Sequence, residues 1–131
     1  MKVLLATSKP FAVQAVQEIQ HIVETAGHTF MKLENYTDKA ELLGAVKDAD
    51  AVIVRSDLID KEVMDAAPNL KVVVRAGAGY DNVDLDAASS HDICVMNTPG
   101  QNSNAVAELV FGMMIYMQRN QFDGSVGREL K

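Results

Sequence analysis

The chain has 131 residues, of which 48% are apolar and 23% are charged. That length suits one domain with its own hydrophobic core, because domains cluster at roughly 100–150 residues. With 12 basic and 18 acidic residues the formal net charge is −6, which argues against a nucleic-acid partner. The single cysteine excludes a disulfide framework, and no apolar run is long enough for a membrane span or a secretory signal. We therefore expect a cytoplasmic protein that binds neither nucleic acid nor membrane.

The first segment predicts a strand followed by a helix. Lys2–Ala6 is a short apolar run, and apolar residues then recur over 11–26 mostly at helical spacing. Ser8 is predicted to cap this helix, with Pro10 in its first turn. Gly27 stands where the glycine that ends a helix is usually found.

The same alternation of strand and helix continues to the end of the chain. The run 51–54 has no polar residue, which is typical of a strand covered on both faces. The more polar segment 29–33 is expected nearer to a sheet edge. Further strands are predicted at 70–74 and 93–96, and further helices at 38–46 (with a capping-box-like start at Asp38), 60–67, 85–90 (capped by Asp84) and 104–117.

Five strands alternating with helices predict an α/β fold with parallel strand pairing. The natural solution is a doubly wound parallel five-stranded sheet of the flavodoxin-like kind, in the order 2-1-3-4-5. Ligands of such sheets bind outside the carboxyl ends of the strands. This rule directs attention to the loops that follow Ala6, Val54, Val74 and Met96.

Those loops carry basic residues and glycines. Arg55 and Ser56 follow the third strand, and the fourth strand leads into Arg75-Ala76-Gly77-Ala78-Gly79-Tyr80. Arginine suits forked recognition of carboxylate or phosphate, and glycines let backbone N–H groups turn toward an anion. We predict a small anionic ligand at this edge. The alternative is that each arginine bonds carbonyls or pairs with acids.

Other kinds of site find little support in the sequence. Gly77 and Gly79 begin a dinucleotide-binding fingerprint, but Asn82 occupies the third glycine position, so no complete nucleotide site is present. The three histidines are not paired by spacing with a carboxylate or nucleophile, so we assign no general base among them. We also predict no metal site. Cys94 lies in an apolar strand and is predicted to be buried.

The last predicted helix lacks a polar face. From Ala105 to Met117 only Glu108 and Gly112 are not apolar, whereas a helix with one buried stripe would show a polar side. One sheet covers only one side of a helix. We therefore expect another domain or a second copy of the chain to cover the rest, with a homodimer formed through 104–117.

Three stretches of the sequence, 54–56, 70–84 and 95–109, resemble the D-isomer-specific 2-hydroxyacid dehydrogenases. Members of this family have a flavodoxin-like substrate domain followed by a Rossmann domain that binds NAD. The resemblance implies that 1–100 is the substrate-binding domain and 101–120 an interdomain and dimerisation helix. Residues 121–131 would then be a linker toward an NAD-binding domain that this chain lacks.

The resemblance also implies roles for individual residues. It is strongest to members with a phosphorylated substrate, whose phosphate Arg55, Ser56 and Arg75 would bind. The backbone amides of Ala78 and Gly79 would bind the substrate carboxylate, and Ala78 would also face the nicotinamide. The cleft beside the cofactor domain would be lined by Asn102, on the substrate side, and Ser103, on the cofactor side.

The family's catalytic arginine, glutamate and histidine lie in the cofactor domain, so the resemblance implies that the 131-residue chain alone is inactive. Two other hypotheses stay open. The chain could belong to a relative acting on glycerate, hydroxypyruvate, glyoxylate or lactate. It could instead be a stand-alone flavodoxin-like module that binds a small anion. A phosphate-receiver domain is disfavoured, because Arg55-Ser56 stands where its aspartate would be.

Overall fold

A computed structural model describes residues 1–119. Five parallel strands form one sheet in the order β2-β1-β3-β4-β5, which confirms the predicted doubly wound, flavodoxin-like α/β architecture. The strands are β1 (Lys2–Thr7), β2 (Thr29–Glu34), β3 (Ala51–Val54), β4 (Val72–Arg75) and β5 (Cys94–Asn97). The helices are α1 (Val13–Thr25), α2 (Lys39–Val46), α3 (Lys61–Asp65), α4 (Leu85–Ser90) and α5 (Ser103–Gln118).

Two compact units divide the chain, Met1–Pro99 and Gly100–Lys131. The first contains the sheet with α1 to α4, and the second contains α5. The predicted functional roles of these segments stay predictions. The predicted linker 121–131 lies outside the described residues.

The core of the first unit lies on both faces of the sheet. Leu4, Val52 and Val73 stand in register on adjacent strands and are at most 1% exposed. They belong to a large apolar cluster that includes residues of α2, α3 and α4. Val3 and Ala51 point to the opposite face, where they join Val23 of α1 in a smaller cluster. The apolar run 51–54 is thus a central strand with cover on both faces, as predicted.

The edge strands differ from the central ones. β2 is an edge strand, as its polar sequence predicted, and none of its residues is buried. β5 forms the other edge, and its residues alternate between exposed and half-buried. Cys94 is exposed, so its predicted burial is wrong. Apolar neighbours in sequence did not reveal that this strand lacks cover on one side.

Acidic caps begin three of the helices. The Asp38 side chain accepts from the Ala40 amide at 2.9 Å and forms a capping box with Glu41, as predicted. Asp84 accepts from the Ala87 amide at 2.9 Å, which confirms the predicted cap of α4, and Asp60 caps α3 in the same way. Each bond satisfies an amide that the first helical turn leaves free.

The predicted start of α1 is wrong. This helix begins at Val13, its N-cap position is Ala12, and no side chain caps it. The Ser8 amide instead donates to a carboxylate from the loop after β3. The chain between β1 and α1 is therefore held by a tertiary contact, and the helix begins several residues later than predicted. Gly27 follows the end of α1 with a φ of +75°, as predicted for a terminating glycine.

One histidine has a carboxylate partner, contrary to the expectation from spacing. His91 Nε2 lies 2.8 Å from Asp65 Oδ1, and Nδ1 lies 2.8 Å from the Ala87 carbonyl oxygen. The pair joins the end of α3 to the turn after α4. Helices of this fold run antiparallel to the strands, so the pair lies toward the amino edge of the sheet and not at the predicted ligand edge.

The helix α5 forms as predicted, and its apolar side chains are exposed. Phe111 is 66% exposed and Met117 is 71% exposed, and no residue of α5 is buried. Its predicted cover by another domain or a second copy stays a prediction. Within residues 1–119, no helix combines the length and apolar character needed to cross a bilayer.

Candidate functional site

The predicted loops begin at neighbouring positions along the carboxyl edge of the sheet. Ala6, Val54, Arg75 and Asn97 stand side by side in the strand register. The loops after β1, β3, β4 and β5 therefore leave the sheet from the same edge. Parallel pairing through crossover helices dictates this grouping, so the sequence could predict it.

Arg75 is the last residue of β4 and is half-buried. Its guanidinium folds over Gly77, where a Cβ would lie 1.4 Å from Nη1 and 2.6 Å from Cζ. The Nε atom is buried and has no hydrogen-bond partner in the part of the chain that the structure describes. Arg75 also forms none of the ion pairs found among residues 1–119. A glycine at position 77 is what leaves room for this guanidinium.

Arg55 and Ser56 follow β3 directly and are exposed. Within residues 1–119, no acidic side chain lies within ion-pair distance of the Arg55 guanidinium. The alternative in which the arginines serve to neutralise acids of their own domain therefore finds no support in the described residues. Neither arginine therefore has an acidic partner among the described residues.

In the loop after β4, the carbonyls of Gly77 and Ala78 accept hydrogen bonds, whereas the amides of Ala78 and Gly79 donate none among the described residues. The Asn97 side-chain amide donates to the Ala78 carbonyl at 2.7 Å, and the Thr98 amide donates to the Gly77 carbonyl at 2.9 Å. In the described part of the chain, no acceptor pairs with the amides of Ala78 or Gly79. Free N–H groups in a fixed loop suit a carboxylate. We did not predict the role of Asn97, although its register beside Arg75 was the available signal.

Asp57 is a buried acidic residue at this edge that sequence reasoning missed. It is only 6% exposed, and its Oδ1 accepts from the Ser8 amide and from the Tyr36 hydroxyl, both at 2.7 Å. Burial raises the pKa of Asp57, but the hydrogen bonds from Tyr36, Ser8 and Thr7 outweigh burial and hold it below its ordinary value. Burial, together with the Asp57 carboxylate, raises the pKa of the Tyr36 hydroxyl. The partners are distant in sequence, so no local pattern predicted them.

Two cavities flank the carboxyl edge of the sheet. One of about 150 Å³ lies beside β5 and is lined by Tyr80, Leu85, Val95, Met96 and Asn97. The other, of about 320 Å³, lies beside Asp57 and includes Ser8, Tyr36, Lys39 and Ser56 in its lining. Neither of these two cavities is lined by Arg55 or Arg75.

Asn102 and Ser103 belong to the second unit. Asn102 occupies the N-cap position of α5 without a capping side-chain bond, and Ser103 is the first residue of the helix. Their expected contacts with substrate and cofactor stay predictions. Among the described residues, no group of three or more His, Cys, Asp or Glu side chains could hold a metal ion.

The fold and this edge define the class of protein: an α/β ligand-binding domain of doubly wound topology. Residues 3–122 match the sequence model of the D-isomer specific 2-hydroxyacid dehydrogenase catalytic domain. The chain belongs to this family.

Solved structures and characterised sequences support the assignment. NAD+-bound 3-phosphoglycerate dehydrogenase from Entamoeba histolytica is 53% identical, with a TM-score of 0.83 over 88% of this chain. An NAD-dependent formate dehydrogenase from Staphylococcus aureus is 30% identical, with a TM-score of 0.80 over 95% of this chain. A D-3-phosphoglycerate dehydrogenase from Mycobacterium leprae is 46% identical over 83 residues, 63% of this chain.

The chain is much shorter than these relatives. It spans 38% of the amoebal chain, 40% of the staphylococcal chain and 16% of the mycobacterial protein. The similarity thus concerns one part of each larger protein, and the activity of the whole belongs to the proposal that follows.

Proposed function

We propose that the chain is the substrate-binding part of an NAD-dependent D-3-phosphoglycerate dehydrogenase. Such an enzyme oxidises 3-phospho-D-glycerate to 3-phosphohydroxypyruvate and supplies serine biosynthesis. The observation that carries the proposal is the pair of arginines, Arg55 and Arg75, at neighbouring strand ends without an acidic partner among residues 1–119.

The chemistry of this edge suits a substrate with two anionic groups. A phosphate presents oxygens in the geometry that a guanidinium fork binds, so Arg55 and Arg75 would hold the phosphate with Ser56 beside it. The free amides of Ala78 and Gly79 would receive the carboxylate. Positioning of this kind contributes several kcal/mol to catalysis when the reacting groups are aligned.

The described residues offer contacts to only a small part of an NAD molecule. The loop after β4 has Asn82 in place of a third glycine, and the Ser8 amide after β1 is already bonded to Asp57. Ala78 carries a small side chain at the carboxyl edge, suited to contact with a flat ring, and Ser103 would add a polar contact. When bound, NAD accepts the hydride from the substrate carbon. In this proposal a Rossmann domain outside this chain holds most of the cofactor, and the 131-residue chain alone turns over no substrate.

Two alternatives differ in what they require of the arginines. The formate dehydrogenase relative shares the fold, so the fold itself does not set the substrate. Glycerate, hydroxypyruvate, glyoxylate and lactate each carry one charge and would leave one arginine idle. A stand-alone anion-binding module would bind the same ligands without assembling an active enzyme.

The proposal also includes an assembly. The exposed apolar side chains of α5 support self-association through 104–117, which would give a homodimer. We further propose a cytoplasmic location, since the exposed thiol of Cys94 suits a reducing compartment.

A domain exchange tests the substrate assignment. In this experiment the chain replaces its structurally aligned segment in the amoebal 3-phosphoglycerate dehydrogenase, giving what we term the exchanged enzyme. We expect oxidation of 3-phospho-D-glycerate with NAD. Arg55→Gln and Arg75→Gln should each raise KM about 10- to 100-fold, because a charged hydrogen bond contributes about 1.5–3 kcal/mol.

Lys71→Gln is the matched control, since it removes one positive charge just before β4, at the opposite edge of the sheet. It should leave KM unchanged. Equal turnover of glycerate and 3-phospho-D-glycerate, or an effect of Lys71→Gln as large as that of Arg75→Gln, would contradict the proposal.

A further inference from the structure

Asp57 connects four loops at the carboxyl edge. Its Oδ1 accepts from the Ser8 amide in the loop after β1 and from the Tyr36 hydroxyl in the loop after β2. Its backbone carbonyl accepts from the Asn82 side chain, in the loop after β4, at 2.8 Å. Asp57 itself lies in the loop after β3, directly after Ser56.

The place of this carboxylate in the fold explains the connection. In the order β2-β1-β3-β4-β5, the chain places β2 on one side of β1 and then β3, β4 and β5 on the other side. The direction in which strands are added therefore reverses between β1 and β3. Loops on either side of such a point diverge and leave a crevice. The Asp57 side chain lies between the two loops, bonded to Ser8 across the crevice, and is 94% buried there because only 6% of the residue is exposed.

Two backbone hydrogen bonds at Ile59 fix the carboxyl-terminal end of the loop after β3. The Ile59 amide donates to the Asn82 carbonyl at 2.9 Å, and the Asp84 amide donates to the Ile59 carbonyl at 3.0 Å. The segment between the end of β3 and Ile59 is therefore short and fixed at both ends. Arg55 and Ser56 lie within it, and their own side chains make none of the hydrogen bonds found among residues 1–119.

We propose that Asp57 is a positioning residue for Arg55 and Ser56: its bonds to Ser8 and Tyr36 fix the loop that presents these two side chains to the substrate phosphate. The inference rests on the proposed function and deepens it. In this proposal Asp57 acts through the loop and not by direct contact, because it is only 6% exposed and its Oδ1 is already bonded to Ser8 and Tyr36. In this proposal, phosphate binding therefore also depends on Tyr36, which lies in the loop after the edge strand β2.

Two conservative variants test the proposal in the exchanged enzyme. Asp57→Asn keeps the acceptor oxygen and removes the charge, and Tyr36→Phe removes one donor and leaves the carboxylate in place. We expect each to raise KM for 3-phospho-D-glycerate about fivefold to tenfold with little change in kcat. Asp48→Asn, the same chemical change on an exposed residue at the amino edge, serves as the control and should change neither constant.

A second measurement is independent of activity. In the 131-residue chain, Asp57→Asn and Tyr36→Phe should speed amide hydrogen exchange at residues 55–58 more than in the strands, while Asp48→Asn does not. Unchanged exchange at 55–58 would overturn the proposal, as would faster exchange with an unaltered KM. If the unsubstituted exchanged enzyme fails to oxidise 3-phospho-D-glycerate while the loop still loosens, the proposed function fails and the positioning of the loop by Asp57 stands.

Discussion

An arginine side chain is long and flexible, so its contribution to binding depends on the contacts that fix its guanidinium group. In Arg75 the guanidinium occupies the space that a side chain at position 77 would take. Gly77 is thus a packing requirement and not a hinge, since its backbone is not in the left-handed region. The Arg75 Nε is buried and has no hydrogen-bond partner among the described residues, so this donor is not satisfied within the domain.

Gly77→Ala should displace the Arg75 guanidinium without disturbing the fold. The added methyl would overlap only the mobile end of the side chain, and alanine tolerates the backbone conformation. We expect KM of the exchanged enzyme for 3-phospho-D-glycerate to rise about tenfold, a loss of about 1.4 kcal/mol in binding, at an unchanged melting temperature.

Gly44→Ala is the control for this substitution. Nothing lies within 4 Å of a Cβ at position 44, which is inside α2, so KM should stay constant. A Gly77→Ala enzyme with unchanged steady-state kinetics would show that the position of the Arg75 guanidinium does not matter for binding.

Residues at strand ends were predictable and buried polar residues were not. Arg55 and Arg75 could be placed because apolar runs mark where strands end, and parallel pairing aligns those ends. Asp57 looked like any acidic loop residue, because its partners Ser8 and Tyr36 come from other loops. Cys94 was placed wrongly, since an edge strand and a central strand of four residues have similar sequences.

At the scale of the elements, local signals predicted the helices that begin with acidic caps. Asp38 and Asp84 fix the starts of α2 and α4 through bonds within one turn, which sequence spacing reveals. At Ser8 the observed bond is instead a tertiary one, because its amide donates to Asp57 across 49 positions. Spacing within the sequence does not reveal so distant a partner, and α1 begins at Val13 without a side-chain cap.

The contact between α3 and the end of α4 makes stability depend on pH. Protonated His91 donates from Nδ1 to the Ala87 carbonyl and from Nε2 to Asp65, whereas the neutral ring can donate only once. The Ala87 carbonyl and Asp65 therefore raise the pKa of His91 above its ordinary 6.5. A group with a raised pKa stabilises the fold below its unfolded value and loses that contribution as pH rises through the folded value.

We expect the His91 ring protons to titrate in NMR spectra with a midpoint above 6.5. Asp65→Asn should lower this midpoint, and His91→Gln should flatten the pH dependence of the free energy of unfolding between the ordinary histidine pKa of 6.5 and the raised pKa of the folded chain. The control is Asp92→Asn, which removes an acid adjacent in sequence that makes no bond to the ring among the described residues. A midpoint that Asp65→Asn leaves in place would contradict the assigned contact.

At the scale of the whole molecule, the rules of parallel sheets predicted the strand order, because right-handed crossovers leave few arrangements for five strands and four connecting helices. The apolar composition of 104–117 predicted a helix, which forms as α5, but composition does not specify what covers it. The covering surface would belong to another domain or to another copy of the chain, and the apolar composition of α5 is the same in both cases. The assembly therefore stays a proposal, while membership of the dehydrogenase family is established.

We propose above all that the carboxyl edge binds a doubly anionic substrate through Arg55 and Arg75. Titration of the ¹⁵N-labelled 131-residue chain with 3-phospho-D-glycerate, followed by amide NMR, measures this directly. We predict weak but saturable shifts, with Kd on the order of millimolar, grouped at residues 55–57 and 76–79. Glycerate at the same concentration should produce a much smaller response, and Arg55→Gln with Arg75→Gln should abolish saturation. Shifts of equal size with glycerate, or shifts centred on the amino-edge residues 68–71, would contradict the account.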